Sequence, residues 1–270
     1  MGLAYPDIDP IAFAIGPLAV RWYGLAYVAG FVGAALILRW LARRWDLGLS
    51  DDDVLSIVLA AVIGVIVGGR LGYVLFYGAG FYLSRPLDVF AVWDGGMSFH
   101  GGLVGILVAG WVVSRRLGIA WLTLCDLGAV GAPVGLMLGR VANFINAELW
   151  GRVSDVPWAM VFPGAGPLPR HPSQLYEAAL EGVVLLVVMV LLARKLPPRP
   201  RGELLGWLIA GYGVARLFVE FFREPDSQLG FILGQWATMG MLLSLPMVAG
   251  GAALVVWARR AQLPQARIER

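Results

Sequence analysis

Apolar runs of membrane-crossing length recur along almost the whole chain, and this recurrence limits the possible folds more than any single motif. Seven such runs lie near residues 20–41, 54–77, 99–113, 122–139, 173–193, 203–222 and 235–257, the third and fourth being short. A helix that crosses a bilayer core needs about 20 predominantly apolar residues. The chain has 270 residues, 59% hydrophobic and 14% charged, with a mean hydropathy of +0.75. That length holds several spans and no large soluble domain as well. The expected fold is an all-α polytopic membrane protein of about seven transmembrane helices, a single transmembrane domain over residues 1–270.

The segments between the runs alternate in character. One set is short and basic: Arg39, Arg43 and Arg44; Arg115 and Arg116; Arg194, Lys195, Arg199 and Arg201; then Arg259, Arg260, Arg267 and Arg270. The other set is longer, polar and rich in Gly and Pro, near 78–98, 140–172 and 223–234. Basic loops favour the cytoplasmic side. This predicts an N-terminus outside, a C-terminus inside and a polar site at the outer membrane interface. The net charge of +3 thus reads as topology signalling, not as a nucleic-acid footprint. The first twenty residues lack a basic start and include Asp7 and Asp9, so they do not read as a cleavable signal peptide.

Local signals support these helices. Ser50 with Asp53 forms a capping-box pattern ahead of the second run. The PPRP stretch at 197–200 separates the fifth and sixth runs, and Ser173 follows His171-Pro172 as a helix start. Gly64, Gly68 and Gly72, and likewise Gly131, Gly135 and Gly139, recur at the four-residue spacing that lets helices pack closely in lipid. The single cysteine, Cys125, excludes an internal disulfide and reads as a small buried hydrophobe.

Ionisable residues inside apolar runs are costly, so each is a functional candidate. In GYGVARLFVEFFREPD, Tyr212, Arg216 and Glu220 share one helix face, with Arg223 following. A structural ion pair between helices is one reading; an Arg aimed at a phosphate and oriented by Glu220 is the other, since guanidinium is planar, charged and bidentate. In GRVANFINAELWGR, Arg140, Asn143, Asn146, Glu148 and Arg152 crowd the end of the fourth run. Interfacial snorkelling explains one Arg there, but not two Asn and a Glu beside it. His100 lies in WDGGMSFHGG between paired glycines, where an imidazole can accept a proton near neutral pH. HPSQLYEAALEG brings His171, Gln174, Tyr176, Glu177 and Glu181 into the entry of the fifth run, partly as helix capping. Arg70, Asp126 and Tyr23 are further polar residues at membrane level, Asp126 reading as one half of a buried pair with an Arg. The sequence contains no HExxH, CxxC, GxSxG or Walker A motif, so no metal is expected. The remaining inventory suits binding a phosphate diester and moving one proton.

Taken in order, RWYGLAY at 21–27, GGRLGYVLFY at 68–77, WDGGMSFHGGL at 93–103, GRVANFINAELWGR at 139–152, HPSQLYEA at 171–178 and GYGVARLFVEFFREPD at 211–226 resemble the blocks of the prolipoprotein diacylglyceryl transferase family. The resemblance runs over roughly 20–257, with Ala147 where the signature has Gly and Met241 where the family often has Gln. It implies transfer of the diacylglyceryl group of phosphatidylglycerol to the lipobox cysteine of a preprolipoprotein, forming a thioether and releasing glycerol phosphate. It implies no cofactor, membrane lipids as surroundings, no nucleic-acid partner, and a site on the outer face of the bacterial plasma (inner) membrane. By resemblance Arg140 and Arg216 bind the phosphate, Asn143, Glu148 and Gly151 shape the signature pocket, and Tyr212 and Glu220 support Arg216. His100 is the candidate base for the thiol and Tyr23 a supporting contact. The rival classes are a lipid transporter, which predicts mid-membrane charges and repeats, another phospholipid-headgroup enzyme using water, and a membrane scaffold.

Overall fold

The computed structural model describes residues 2–6, 8–16, 18–78, 80–225, 230–232, 234 and 236–266. Asp7, Asp226, Gln235, Arg267 and Arg270, on which readings of the sequence fall, lie outside the described residues. In chain order the elements are β1 (Leu3–Ala4), β2 (Ile11–Ile15), β3 (Leu18–Arg21), α1 (Trp22–Arg44) and α2 (Asp51–Tyr77). Short helical turns at Phe81–Ser84, Pro86–Phe90 and Val92–Asp94 follow. Then come α3 (Phe99–Leu117), α4 (Trp121–Ile145), β4 (Met160–Val161), α5 (Ser173–Ala193), α6 (Glu203–Val219) and α7 (Met239–Ala261).

The chain is mostly helical, as lipid requires, because a helix satisfies its backbone groups within the segment. Among the described residues, five helices, α1, α2, α4, α5 and α7, are long and apolar enough to cross a membrane. α6 is shorter at 17 residues, and α3 ends on Arg115 and Arg116. Only 22% of the apolar stretch of α1 and 28% of that of α2 is buried within the protein. Leu75 and Phe76 are 75% and 81% exposed. Apolar surface of this extent needs an apolar surrounding or a partner.

Two expectations about the helices need correction. α4 is not short: it has 25 residues and runs through Ile145, so residues 140–145 are helical and the loop begins after them. The Tyr5 hydroxyl shares its hydrogen between the carbonyls of Phe144 (2.5 Å), which also accepts from Ala147 N (2.9 Å), and Ile145 (2.9 Å) at the helix end. α6 ends at Val219, with Glu220 as its cap, so Arg223 does not continue the helical stripe. Cys125 is half-buried rather than enclosed.

The chain divides into two compact units. One comprises Arg39–Cys125 and Gln265–Arg270. Within it the Ser50 capping box forms as expected: Asp53 N donates to Ser50 Oγ (3.1 Å) and Ser50 N to the Asp53 carboxylate (3.0 Å). α2 and α3 meet along glycines. A Cβ on Gly72 would stand 2.7 Å from the Cα of Gly101, and one on Gly68 would stand 2.7 Å from that of Gly105. The spacing of Gly64, Gly68 and Gly72 therefore marks a real helix seam. Arg70, only 5% exposed, donates to the carbonyls of Asp88 (2.5 Å), Val89 (2.9 Å) and Gly95 (2.5 Å). It ties down the turns that precede α3.

The other unit comprises Met1–Leu38 and Asp126–Pro264. β1 pairs with β4 in parallel, and β2 and β3 form a hairpin. α1 packs on α4 through small residues: a Cβ on Gly131 would lie 3.0 Å from Ala34 Cβ, and one on Gly30 would lie 3.2 Å from Gly135 Cα. Cβ atoms added to Gly135 and Gly139 would meet nothing within 4 Å, so in the second glycine row Gly131 alone presses its own face on a neighbour, and Gly135 is approached from Gly30. Asp126 accepts from the backbone N–H of Gly202 (2.7 Å) and Leu205 (2.8 Å), which places a carboxylate at the positive end of α6. Glu203 beside it binds Arg199 (2.7 Å) and Arg259 (3.0 Å).

Candidate functional site

The last turn of α4 carries Arg140 and Asn143 on one face. The chain then reverses through Ala147 (φ 53°) and Leu149 (φ 58°), both left-handed. Glu148 is held between them: it accepts from Asn143 Nδ2 (2.8 Å) and Asn146 Nδ2 (3.2 Å), while its carbonyl accepts from Gln174 Nε2 (2.6 Å). A left-handed backbone explains why this signature position suits glycine, since a Cβ there costs about 1–2 kcal/mol. Ala147→Gly removes that cost and adds about 0.5–1 kcal/mol of unfolded-chain entropy. The expected net is a gain of about 0.5–1 kcal/mol, read as a small rise in Tm in detergent; a fall in Tm would refute it.

Gly151 joins three segments. Its N–H donates to His171 O (2.9 Å), and a Cβ on it would stand 2.5 Å from Phe222 O and 2.7 Å from His171 Cβ. Any side chain at 151 would therefore push backbone apart. Arg152 completes the junction, donating to the carbonyls of Arg223 (2.8 Å) and Glu220 (3.0 Å). The signature loop, the entry of α5 and the exit of α6 are thus one rigid assembly. His171 sits at this junction with its Nδ1 3.1 Å from the Tyr176 hydroxyl, and burial pushes the imidazole below its ordinary pKa, favouring the neutral form.

At the heart of the assembly lies a charge cluster. Glu177 Oε2 stands 2.7 Å from Arg140 Nε and 3.1 Å from an Arg216 terminal nitrogen, so one carboxylate oxygen serves both guanidiniums. Glu181 lies farther, at 3.7 Å from each arginine. The other terminal nitrogen of Arg216 binds Glu220 at 2.5 Å, and Thr238 Oγ1 donates to the second Glu220 oxygen. The i,i+4 pair expected between Arg216 and Glu220 is therefore made. Tyr212 faces the cluster, within electrostatic reach of Glu181, Arg216, Arg140 and Glu177. Tyr23 lies within reach of Arg140 and Glu148, its ring 5.2 Å from that of Tyr27.

Glu177 and Glu181 are fully buried. Buried charges persist only when paired or hydrogen-bonded. The helix around them departs from α geometry: Ala178–Val184 forms a π-helical stretch, a feature that recurs at functional sites. Arg140 and Arg216 keep 19% and 11% of their side chains accessible, so the carboxylates do not fully enclose them. Two fixed, partly desolvated guanidiniums side by side are suited to binding an anion.

This unit brings together Tyr23, Arg140, Asn143, Glu148, Gly151, Tyr212, Arg216 and Glu220. His100 belongs to the other unit, exposed in the first turn of α3 with its ring 5.6 Å from that of Phe99. Ser98 caps that helix by accepting from Gly101 N (3.2 Å). In the sequence Glu177 and Glu181 read as part of a polar helix entry, and it is the packing of the helices that makes them the arginines' common counter-charge. Two carboxylates one turn apart inside a 21-residue apolar helix were the available signal. Thr238 and Tyr5 carried no such signal.

Residues 10–257 match the family model described as prolipoprotein diacylglyceryl transferase. A protein of Methylocella silvestris named phosphatidylglycerol–prolipoprotein diacylglyceryl transferase is 55% identical over 267 residues, 96% of each chain. Proteins of the same name from Geobacter sulfurreducens (53% over 258 residues, 96% of this chain and 98% of the relative) and Pseudomonas paraeruginosa (52% over 263 residues, 97% and 98%) agree. On a match of this extent and identity, the chain belongs to the prolipoprotein diacylglyceryl transferase family.

Proposed function

We propose that this chain transfers the diacylglyceryl group of phosphatidylglycerol to the lipobox cysteine of a preprolipoprotein. The thiolate sulfur attacks the glycerol carbon that bears the phosphate ester. A carbon–sulfur thioether bond forms, the carbon–oxygen bond breaks, and glycerol phosphate leaves with the bonding electrons. The thiol proton goes to a base. The observation that carries the reading is the shared Glu177 oxygen, which sets Arg140 and Arg216 side by side as one anion receptor. As the leaving phosphate gains charge, that receptor stabilises it without reorganising; one such donor is typically worth about 2.7–4 kcal/mol.

Asn143 and Glu148 hold the reversing loop over the receptor, Gly151 keeps the junction close, and Tyr212 and Glu220 fix the direction of Arg216. Tyr23 lines the Arg140 side. The assignment of His100 as the base rests on its family motif. A free thiol has a pKa of about 8.5, so a base or a cationic field must raise the thiolate fraction. Around the site we infer seven spans, α1 to α7, in a bacterial plasma (inner) membrane, with the N-terminus and the polar loops outside and the basic loops cytoplasmic.

An acceptor assay tests the reading. Purified protein, phosphatidylglycerol vesicles and a lipobox peptide are incubated, and the peptide mass is read beside a Cys→Ser peptide. The expected result is a diacylglyceryl mass gain that requires both the cysteine and phosphatidylglycerol. No gain from folded protein would overturn the transferase reading. Free diacylglycerol without peptide modification would indicate a headgroup hydrolase instead.

A further inference from the structure

Arg216 takes its direction from Glu220, and Glu220 takes its own from the start of α7. Glu220 is buried, and both of its carboxylate oxygens are engaged. Oε1 binds a terminal nitrogen of Arg216 (2.5 Å), and Oε2 accepts from Thr238 Oγ1 (2.5 Å). The Glu220 backbone carbonyl is held as well, by Arg152 (3.0 Å). Thr238 is equally buried and is the N-cap of α7, where its Oγ1 accepts from Met241 N (3.2 Å). That bond occupies a lone pair and leaves the single hydroxyl hydrogen for Glu220. Gly240, two residues on, closes in on the other oxygen. A Cβ there would run into Glu220 Oε1 and stand 2.5 Å from the carboxyl carbon. The carboxylate thus rests against the positive end of α7.

The seam between α6 and α7 is made without this carboxylate. A Cβ on Gly206 would stand 2.8 Å from Gly251 O, one on Gly251 would stand 2.5 Å from Ala210 N, and one on Gly213 would stand 3.0 Å from Ser244 O. Close backbone approach through small residues drives helix association in lipid. A buried carboxylate at the end of such a seam adds a desolvation cost, so helix docking alone does not account for it. Its geometry does. Thr238 fixes Oε2, and the bare backbone of Gly240 leaves room for Oε1 in one position. The Arg216 nitrogen bound to Oε1 is fixed with it. We infer that Thr238 and Gly240 are positioning residues for the proposed transfer, seating the Glu220 carboxylate that aims Arg216. This rests on the transferase reading above. Neither residue is assigned a contact with substrate; each acts through Glu220.

The test measures kcat on the full-length protein with phosphatidylglycerol vesicles and a lipobox peptide, beside thermal unfolding in detergent. Thr238→Val keeps the side-chain shape and removes the hydroxyl. It is expected to lower kcat about tenfold or more, since a misplacement of about 1 Å at a reacting centre can cost about 100-fold. Thr238→Ser returns the hydroxyl and is expected to restore a rate close to native. Gly240→Ala leaves both Thr238 bonds in place and displaces the Glu220 carboxylate alone, and a similar loss is expected. A double-mutant cycle separates positioning from simple capping of α7. In Glu220→Gln protein the charge that holds Arg216 to this seat is gone, so Thr238→Val is expected to cost less than about threefold further. A capping role would cost the same factor in both backgrounds. Native rates in the folded valine or alanine variant would overturn the assignment. So would a serine variant as slow as the valine one, or losses that multiply in full across the cycle. If the valine variant does not fold, Gly240→Ala turning over at the native rate overturns it instead. A native protein that modifies no peptide would sink the transferase reading itself, before any variant is compared.

Discussion

If Arg216 binds the phosphate as proposed, Arg216→Lys is expected to lower kcat/KM for phosphatidylglycerol by about 100–1000-fold, the effect of losing one preorganised donor at a developing oxyanion, while the protein stays folded. Arg216 contacts three carboxylates from two helices, with Glu220 at 2.5 Å, Glu177 at 3.1 Å and Glu181 at 3.7 Å. Its planar fork reaches these groups in different directions, one terminal nitrogen on Glu177 and the other on Glu220. A lysine ammonium keeps the charge but is a point, on a stem that cannot bridge Glu220 and Glu177 at once. The cluster stays partly neutralised and the receptor loses its shape. Arg216→Ala goes further, because three buried carboxylates then face fewer guanidiniums. Removing one partner of a buried pair costs about 3–5 kcal/mol, so this variant is expected to lose stability as well as turnover. The measurements are initial rates with a lipobox peptide and thermal unfolding in detergent. A lysine variant turning over at the native rate would remove Arg216 from the phosphate site, whatever the alanine variant does.

Much of the helix layout was legible because composition and chain breakers agreed. α5 occupies residues 173–193 as expected, bounded by Pro172 and by Arg194. α4 outran its expected end because Arg140 and Asn143 lower the apolarity of its last turn, while Tyr5, 139 residues from Phe144 in sequence, completes the hydrogen bonding there. α7 begins at Met239 and not four residues earlier, because Thr238 accepts from Met241 N and caps it. The site was legible where its members are neighbours on one helix, as with Arg216 and Glu220. It was not legible where charge balance is reached across helices. The Arg216–Glu177 contact spans 39 residues, and nothing in either motif names the other. Glu177 and Glu181 alone read as capping residues; only the packed helices make them the counter-charge for two arginines.

Gly105→Leu is the corresponding test of the fold. A Cβ on Gly105 would run into the Gly64 carbonyl oxygen and stand 2.9 Å from the Gly64 carbonyl carbon and from Gly68 Cα. Those are backbone atoms of α2, which cannot rotate aside as a side-chain tip can. The α2–α3 seam must therefore open along its length, and the close approach that drives helix association in lipid is lost. Overpacking a tight contact costs about 1–3 kcal/mol, occasionally more. With leucine at a backbone-to-backbone contact the upper end is expected, about 3 kcal/mol, or a Tm lowered by about 6 °C at this chain length. Gly128→Ala supplies the contrast. Gly128 lies within α4 with nothing inside 4 Å of its added Cβ. There alanine brings only its better helix propensity, up to about 1 kcal/mol, and Tm is expected to hold or rise. If both substitutions lowered Tm equally, glycine would be acting through general backbone flexibility. A large fall at 105 alone would mean that the four-residue glycine spacing in α2 encodes this one seam.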